Sequence, residues 1–150
     1  MSRPHPTAPR AASLSLLQQM AWFRYQLRRF LRFSEQAARS TGVTPQHHQL
    51  LLGVAAYTGR GWATISELAE FLQERHNAVV GLVERAEQKG LVRKEQAAGD
   101  RRFVRVTPTA GGMAILAKLT ELHREELGRM RRLLTADNIR PRPVKQRPGS

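Results

Sequence analysis

The period of the apolar positions changes three times along the chain, and each change marks an element. Between residues 14 and 40, Leu16, Met20, Phe23, Leu27, Phe30, Ser34 and Ala37 recur at alternating steps of four and three. Residues so spaced share one stripe of an α-helix. Leu17, Phe33 and Ala38 widen the stripe, and Gly42 follows its last turn. Thr44 and Pro45 then open a second helix, Thr as N-cap and Pro at the first helical position, expected to run to Tyr57. Leu50, Leu51, Leu52, Val54 and Ala55 make it nearly all apolar, so it is expected in the centre of the core. Residues 58–63 (TGRGWA) read as a Gly-rich connector, with Trp62 packing under the segment that begins at Thr64.

Residues 64–107 carry the densest signals. Thr64 or Ser66 caps a short helix whose inner face is Ile65, Leu68, Ala69 and Leu72; with Thr64 as the cap, Glu67 sits where a capping box needs it. Residues 74–76 predict a turn. A helix from about Asn77 to Lys89 comes next, with Val79, Leu82, Val83 and Ala86 inward, and Gly90 stops it. Two β-like runs, 91–96 and 102–107, are joined through Ala97-Ala98-Gly99-Asp100. In the second run Val104 and Val106 alternate with Arg105 and Thr107, as in a half-buried strand. Helix, turn, helix and ribbon, in that order, predict a winged helix-turn-helix. The last helix is expected to open at Thr107-Pro108, repeating the cap chemistry of Thr44-Pro45, with a broad apolar face that includes Leu116, Leu119, Leu127, Met130 and Leu134.

The expected fold is therefore mainly α (α+β). It is a winged helix-turn-helix with a two- to three-stranded β-wing, and long N- and C-terminal helices form a helical dimerisation region. Residues 14–136 make one domain: helices 14–41 and 108–135 flank a DNA-binding lobe at 44–107. Residues 1–13 and 137–150 read as disordered basic arms. Leu16, Met20, Phe23 and Leu27 on the first helix, with Leu119, Leu127, Met130 and Leu134 on the last, are the expected seam of a homodimer. The helices between them already supply a core.

Charge adds a partner to this picture. The 150 residues hold 25 Lys plus Arg against 12 Asp plus Glu, a formal +13, which favours polyanions, nucleic acid first. Residues 1–33 contain six arginines and no acid, whereas 64–107 hold eight basic and seven acidic residues. The flanks thus supply long-range attraction and the lobe supplies shape and a few aimed groups. Arg24, Arg28 and Arg32 repeat at four-residue steps, and Glu121, Glu125 and Glu126 of the last helix could answer them.

Several classes drop out. There is no cysteine, so disulfides, thiolate metal sites and cysteine redox chemistry are excluded. The longest apolar run, 50–57, is far short of the roughly 18 residues of a membrane span. The first residues lack the apolar stretch of a secretory signal, so a cytoplasmic location is expected. No nucleophile–base pair, phosphate loop or carboxylate pair suggests an enzyme, and no cofactor is expected. No metal site is expected either. His47 and His48 are adjacent and face different ways, and His123 beside Glu121, Glu125 and Glu126 reads as a helix-surface salt-bridge set.

The candidate site is the open face of the helix after the turn: His76, Asn77, Val80, Gly81 and Arg85. In a helix-turn-helix the second helix enters the major groove, N-terminal residues first. Asn can bond adenine, Arg guanine or a phosphate, and Val a thymine methyl. His76 and Asn77 could equally cap the helix. Arg101 and Arg102 at the ribbon tip suit the negative potential of a minor groove, with Asp100 holding an arginine in place.

The run from Glu67 to Gly112 resembles the MarR family of bacterial transcription regulators. The resemblance lies in Lys-Gly-Leu-Val-Arg at 89–93, a short loop, Asp-Arg-Arg at 100–102, then Val-x-Val-Thr at 104–107 and a following Gly. It extends over about 14–135. It implies a homodimer on a near-palindromic operator in double-stranded DNA, usually as a repressor released by a small, often aromatic, ligand. It also implies that Asp100 and Arg102 are the wing pair, with Arg101 a neighbouring phosphate contact. A ligand pocket between helical region and lobes would draw on Trp22, Phe23, His47, His48 and Trp62. The chain departs from the family at Val80 and Gly81, where many relatives carry polar side chains. It also departs at the proline-rich end, which forbids a further helix. A nonspecific architectural nucleic-acid binder is the alternative reading.

Overall fold

The computed structural model describes residues 14–96, 99 and 103–135; the two expected arms lie outside them. Helix α1 (Leu14–Ser40) ends as expected, and Gly42 turns the chain at φ 85°. Helix α2 (Pro45–Leu52) opens on Thr44, whose hydroxyl accepts from the His47 amide at 3.1 Å, with Pro45 at the first position. The expected single helix to Tyr57 is instead two pieces. After Leu52 the chain widens into a π-helical turn, Gly53–Tyr57. A Cβ on Gly53 would lie 2.7 Å from Cδ1 of Phe71 and 3.0 Å from Leu68, so the bare backbone there admits the next helix.

Strand β1 (Ala63–Thr64) precedes α3 (Ile65–Leu72) and makes the expected wing three-stranded, in the order β1-β3-β2. The capping box is complete: Thr64 Oγ1 accepts from the Glu67 amide at 3.2 Å, and Glu67 Oε2 accepts from the Thr64 amide at 2.9 Å. The Thr64 amide, and then Arg60, hold the Glu67 carboxyl below the usual carboxylate range. Gln73, in the left-handed region at φ 53°, ends α3.

Helix α4 (His76–Gln88) starts one residue before the expected point, with Arg75 as its N-cap and no side-chain cap bond. His76 and Asn77 therefore lie inside the helix and do not cap it. Gly90 closes α4 at φ 72°, and β2 (Val92–Gln96) pairs antiparallel with β3 (Val104–Pro108), Lys94 opposite Val106. Pro108 thus ends a strand instead of opening a helix. Thr109 does the capping: its hydroxyl accepts from the Gly112 amide at 2.9 Å and donates to the Gly90 carbonyl at 2.5 Å. Helix α5 (Ala110–Thr135) completes the fold.

The core lies where α2, α3, α4, the sheet and the first half of α5 meet. Leu50, Leu51, Val54, Leu68, Val79, Val83, Val92, Val106 and Leu119 are fully buried. Each such side chain contributes roughly 1.5–3 kcal/mol relative to exposure. The α1 stripe divides in two. Ala37 and Ala38 are buried and Phe33 packs on the core, while Leu16, Met20, Phe23 and Leu27 are 38–53% exposed. Leu119 departs from its expected place in a dimer seam, because it is enclosed within its own protomer. Leu127 is exposed and Met130 half-buried; the side chain of Leu134 lies outside the described set.

Candidate nucleic-acid interface

Two helices joined at a left-handed residue place α4 across α3, with its first turns in solvent. Val79, Leu82, Val83 and Ala86 point into the core at helical spacing. This leaves His76, Asn77, Ala78, Glu84, Arg85 and Gln88 exposed, with Val80 and Gly81 half-buried. A Cβ on Gly81 would lie 3.2 Å from Nη1 of Arg85, so the missing side chain makes room for the Arg85 guanidinium over the middle of the helix. The bare backbone at Gly81 and the placing of the Arg85 guanidinium go together.

Grooves flank α4 on both sides. The larger, about 490 Å³, runs between α4 and the sheet and is lined by Thr64, Ile65, Ser66, His76, Val80, Lys94, Phe103 and Val104. The smaller, about 200 Å³, is lined by Gln46, Glu74, Asn77, Ala78, Val79, Gly81, Leu82 and Arg85. The five expected helix residues therefore share one surface. Sequence reasoning missed Lys94, Phe103, Ser66 and Gln46. Strand alternation signals the first: Lys94 is paired with the inward Val106. Its ammonium lies 4.0 Å from Glu84 and 3.9 Å from Glu87, which fastens the sheet to α4. Asp100, Arg101 and Arg102 lie outside the described residues.

The structure does not gather the five residues expected to line a ligand pocket. Trp22 stacks on Tyr25 of its own helix, with ring centroids 5.4 Å apart, and Phe23 is exposed. Trp62 lies at the sheet edge, under the guanidinium carbons of Arg60 (3.9 Å) and Arg105 (4.3 Å). His47 and His48 are both buried and face different elements. Burial lowers the His47 pKa, helped by Lys89 and Arg85 at the end of α4. Burial also lowers the His48 pKa, helped by His123 of α5.

His123 is likewise not on a helix surface. It is 5% exposed, packed edge-on to Phe33 and Phe30 and 5.1 Å from the His48 ring. Its Nδ1 lies 2.7 Å from the Leu119 carbonyl, and its Nε2 has no partner. Two glutamates of the expected set serve their own helix: Glu121 pairs with Arg124 and Glu126 with Arg129. Neither makes an ion pair with Arg24, Arg28 or Arg32. Arg129 Nη1 also donates to Gln26 Oε1 at 2.7 Å, clasping α5 to α1. Among the described residues no group of three or more His, Asp or Glu could hold a metal. No helix among them is long and apolar enough to cross a membrane.

A family profile described as the MarR family matches residues 41–102, from the turn after α1 into the wing. Over these residues the chain is similar to the MarR family. The lobe and its flanking helices together share the fold of solved MarR family regulators. One is AbsC, a MarR family transcriptional regulator from Streptomyces coelicolor: TM-score 0.71, 20% identity, over 85% of this chain and 86% of AbsC. Another is a mutant MarR from E. coli complexed with operator DNA: TM-score 0.62, 20% identity, over 79% of this chain and 84% of that one. A third is MepR, a transcription regulator of the Staphylococcus aureus multidrug efflux pump MepA: TM-score 0.62, 19% identity, over 84% and 87%. None of the curated proteins matches the chain.

Proposed function

We propose that the chain is a sequence-specific, double-stranded-DNA-binding transcription regulator that acts as a homodimer. The observation that carries the reading is the α4 surface. An exposed N-terminal face bearing His76, Asn77 and Arg85 stands between two grooves and beside a β-wing. A helix so presented fits the major groove, where Asn and Arg discriminate base edges. The similarity of residues 41–102 to the MarR family and the fold shared with a MarR bound to operator DNA support the same reading. Pairing is supported by Leu16, Met20, Phe23 and Leu127, apolar and exposed on α1 and α5 of one protomer. Action as a repressor relieved by a small aromatic ligand completes the proposal and rests on the family resemblance alone.

Selection of bound fragments from a random duplex pool tests it. The expected product is a near-palindrome with half-sites about one helical turn, roughly 10 base pairs, apart. Asn77→Ala and Arg85→Ala each weaken binding to that duplex by about 1–3 kcal/mol, the worth of one base contact. Equal affinity for unrelated duplexes overturns sequence specificity and leaves an architectural binder. Shift assays with aromatic carboxylates then test relief.

A further inference from the structure

The outer face of the sheet holds a cluster that the α4 surface does not use. Residues 58–62 form a tight loop. Gly59 and Gly61 take φ 75° and 78°, and the Thr58 hydroxyl donates to the Trp62 carbonyl at 2.7 Å. That loop sets Trp62 next to β1, half-buried. Thr64 pairs with Arg105 across the β1–β3 register, which brings the Arg105 side chain to the same outer face. Arg105 follows the alternation of β3, in which Val106 is buried and Arg105 exposed. The result is one indole under two guanidinium groups.

The two cations differ in what else they meet. Arg60 donates to Glu67 Oε2 at 2.5 Å. For Arg105 no carboxylate among the described residues lies within ion-pair distance; the indole is what it rests on. A guanidinium stacked on an aromatic face keeps its donor edges free and its plane fixed. Such a group is preorganised for the planar, two-donor contact that a phosphate accepts. Phe103 links this cluster to the α4 surface. It lines the groove beside His76 and Val80 and stands edge-on to Trp62 at 6.1 Å and 76°.

We infer that Arg105 is a backbone-phosphate contact for the duplex bound by α4, and that Trp62 is its positioning residue. Arg60 adds a second cation on the same indole, tied back to the cap of α3 through Glu67. The inference rests on the DNA-binding reading above and adds a sequence-independent contact on the sheet's outer face. Phosphate contacts of this kind fix register and orientation and carry no base preference.

The test uses the full chain and the duplex selected from the random pool, with binding measured across salt between about 50 and 200 mM. Arg105→Gln flattens the slope of log K against log salt by about 0.9 per protomer and weakens binding evenly across matched and mismatched duplexes. Arg105→Lys keeps the slope. Trp62→Ala moves it as Arg105→Gln does, and Trp62→Phe, which retains an aromatic face, restores it at least half-way. A wild-type slope in Arg105→Gln, with Asn77→Ala still impaired, overturns this inference and leaves the DNA-binding reading standing. A wild-type slope in Trp62→Ala removes Trp62 from the role. Wild-type protein that enriches no duplex and binds none overturns both.

Discussion

Gly112→Ala is the substitution for which helix propensity and packing disagree most. On propensity alone, removing a glycine from an α-helix stabilises by about 1 kcal/mol. At Gly112, however, the new Cβ would lie 2.1 Å from the Leu91 carbonyl oxygen, 3.0 Å from its carbon and 3.1 Å from Cδ2 of Leu51. Two of those atoms are backbone and cannot rotate aside. The first turn of α5 must then back away from the start of β2, stretching the bonds to the Leu91 carbonyl from the Thr109 amide, now 3.1 Å, and from its hydroxyl, now 3.2 Å. Overpacking costs about 1–3 kcal/mol, and each weakened bond up to about 1 kcal/mol more. Against a gain of about 1, the net expectation is a loss near 2 kcal/mol, or roughly 6 °C in Tm for a domain of this size. Gly128→Ala is the internal control. Its nearest neighbour would be the flexible Arg132 Nη1 at 3.5 Å, so it gains up to about 1 kcal/mol. Circular dichroism melts at one protomer concentration make the comparison. A Gly112→Ala protein melting at or above wild type would refute the reasoning, because propensity would then outweigh the close approach.

Three further outcomes are expected. Thr64→Ala removes one arm of the capping box and lowers stability by about 1–2 kcal/mol in denaturant melts, and an unchanged midpoint contradicts this. His47 and His48 have folded pKa values below the unfolded value of about 6.5, so the unfolded chain takes up protons first as pH falls. Stability is therefore complete above about pH 6.5 and declines below it, by up to about 1.4 kcal/mol per pH unit for each proton, and His48→Gln makes the decline in Tm shallower. Met20→Glu and Leu127→Glu, both at exposed positions, shift sedimentation from dimer to monomer without loss of helicity. A dimer that persists in both places the seam elsewhere.

What was legible in the sequence is what depends on neighbours a few residues apart. The capping box needs only Thr64 and Glu67, and the inward face of α4 needs only its helical period. Strand alternation placed Val104 and Val106 correctly for the same reason. The failures involve partners that are distant in the chain. His123 reads as a surface residue among glutamates, yet His48, 75 positions earlier, and Phe33 enclose it. Trp62 looks like a pocket aromatic until β1 pairs with β3 and brings Arg105 to it. Thr107-Pro108 copies Thr44-Pro45 in letters, but ladder pairing with Val92 claims Pro108, and the cap passes to Thr109. For α4 itself, local pattern located the surface, while the groove wall formed by Lys94 and Phe103 needed the sheet register.

The Thr109 hydroxyl joins three elements at one point: the end of α4, the root of the wing and the first turn of α5. Farther along, beyond the buried Leu116, Leu119 and His123, the Arg129–Gln26 clasp ties α5 to α1. Between Gly112 and Arg129 the helix is a rigid rod of about 26 Å at 1.5 Å per residue. It behaves as a lever. A tilt of about 2° about the clasp displaces the far end of such a rod by about 1 Å. Because that end is bonded to the Gly90–Leu91 turn between α4 and β2, a shift of it is passed to the root of the wing. In the homodimer proposed above, a small change where two copies of α1 and α5 meet would thus be carried toward the span between the two α4 surfaces.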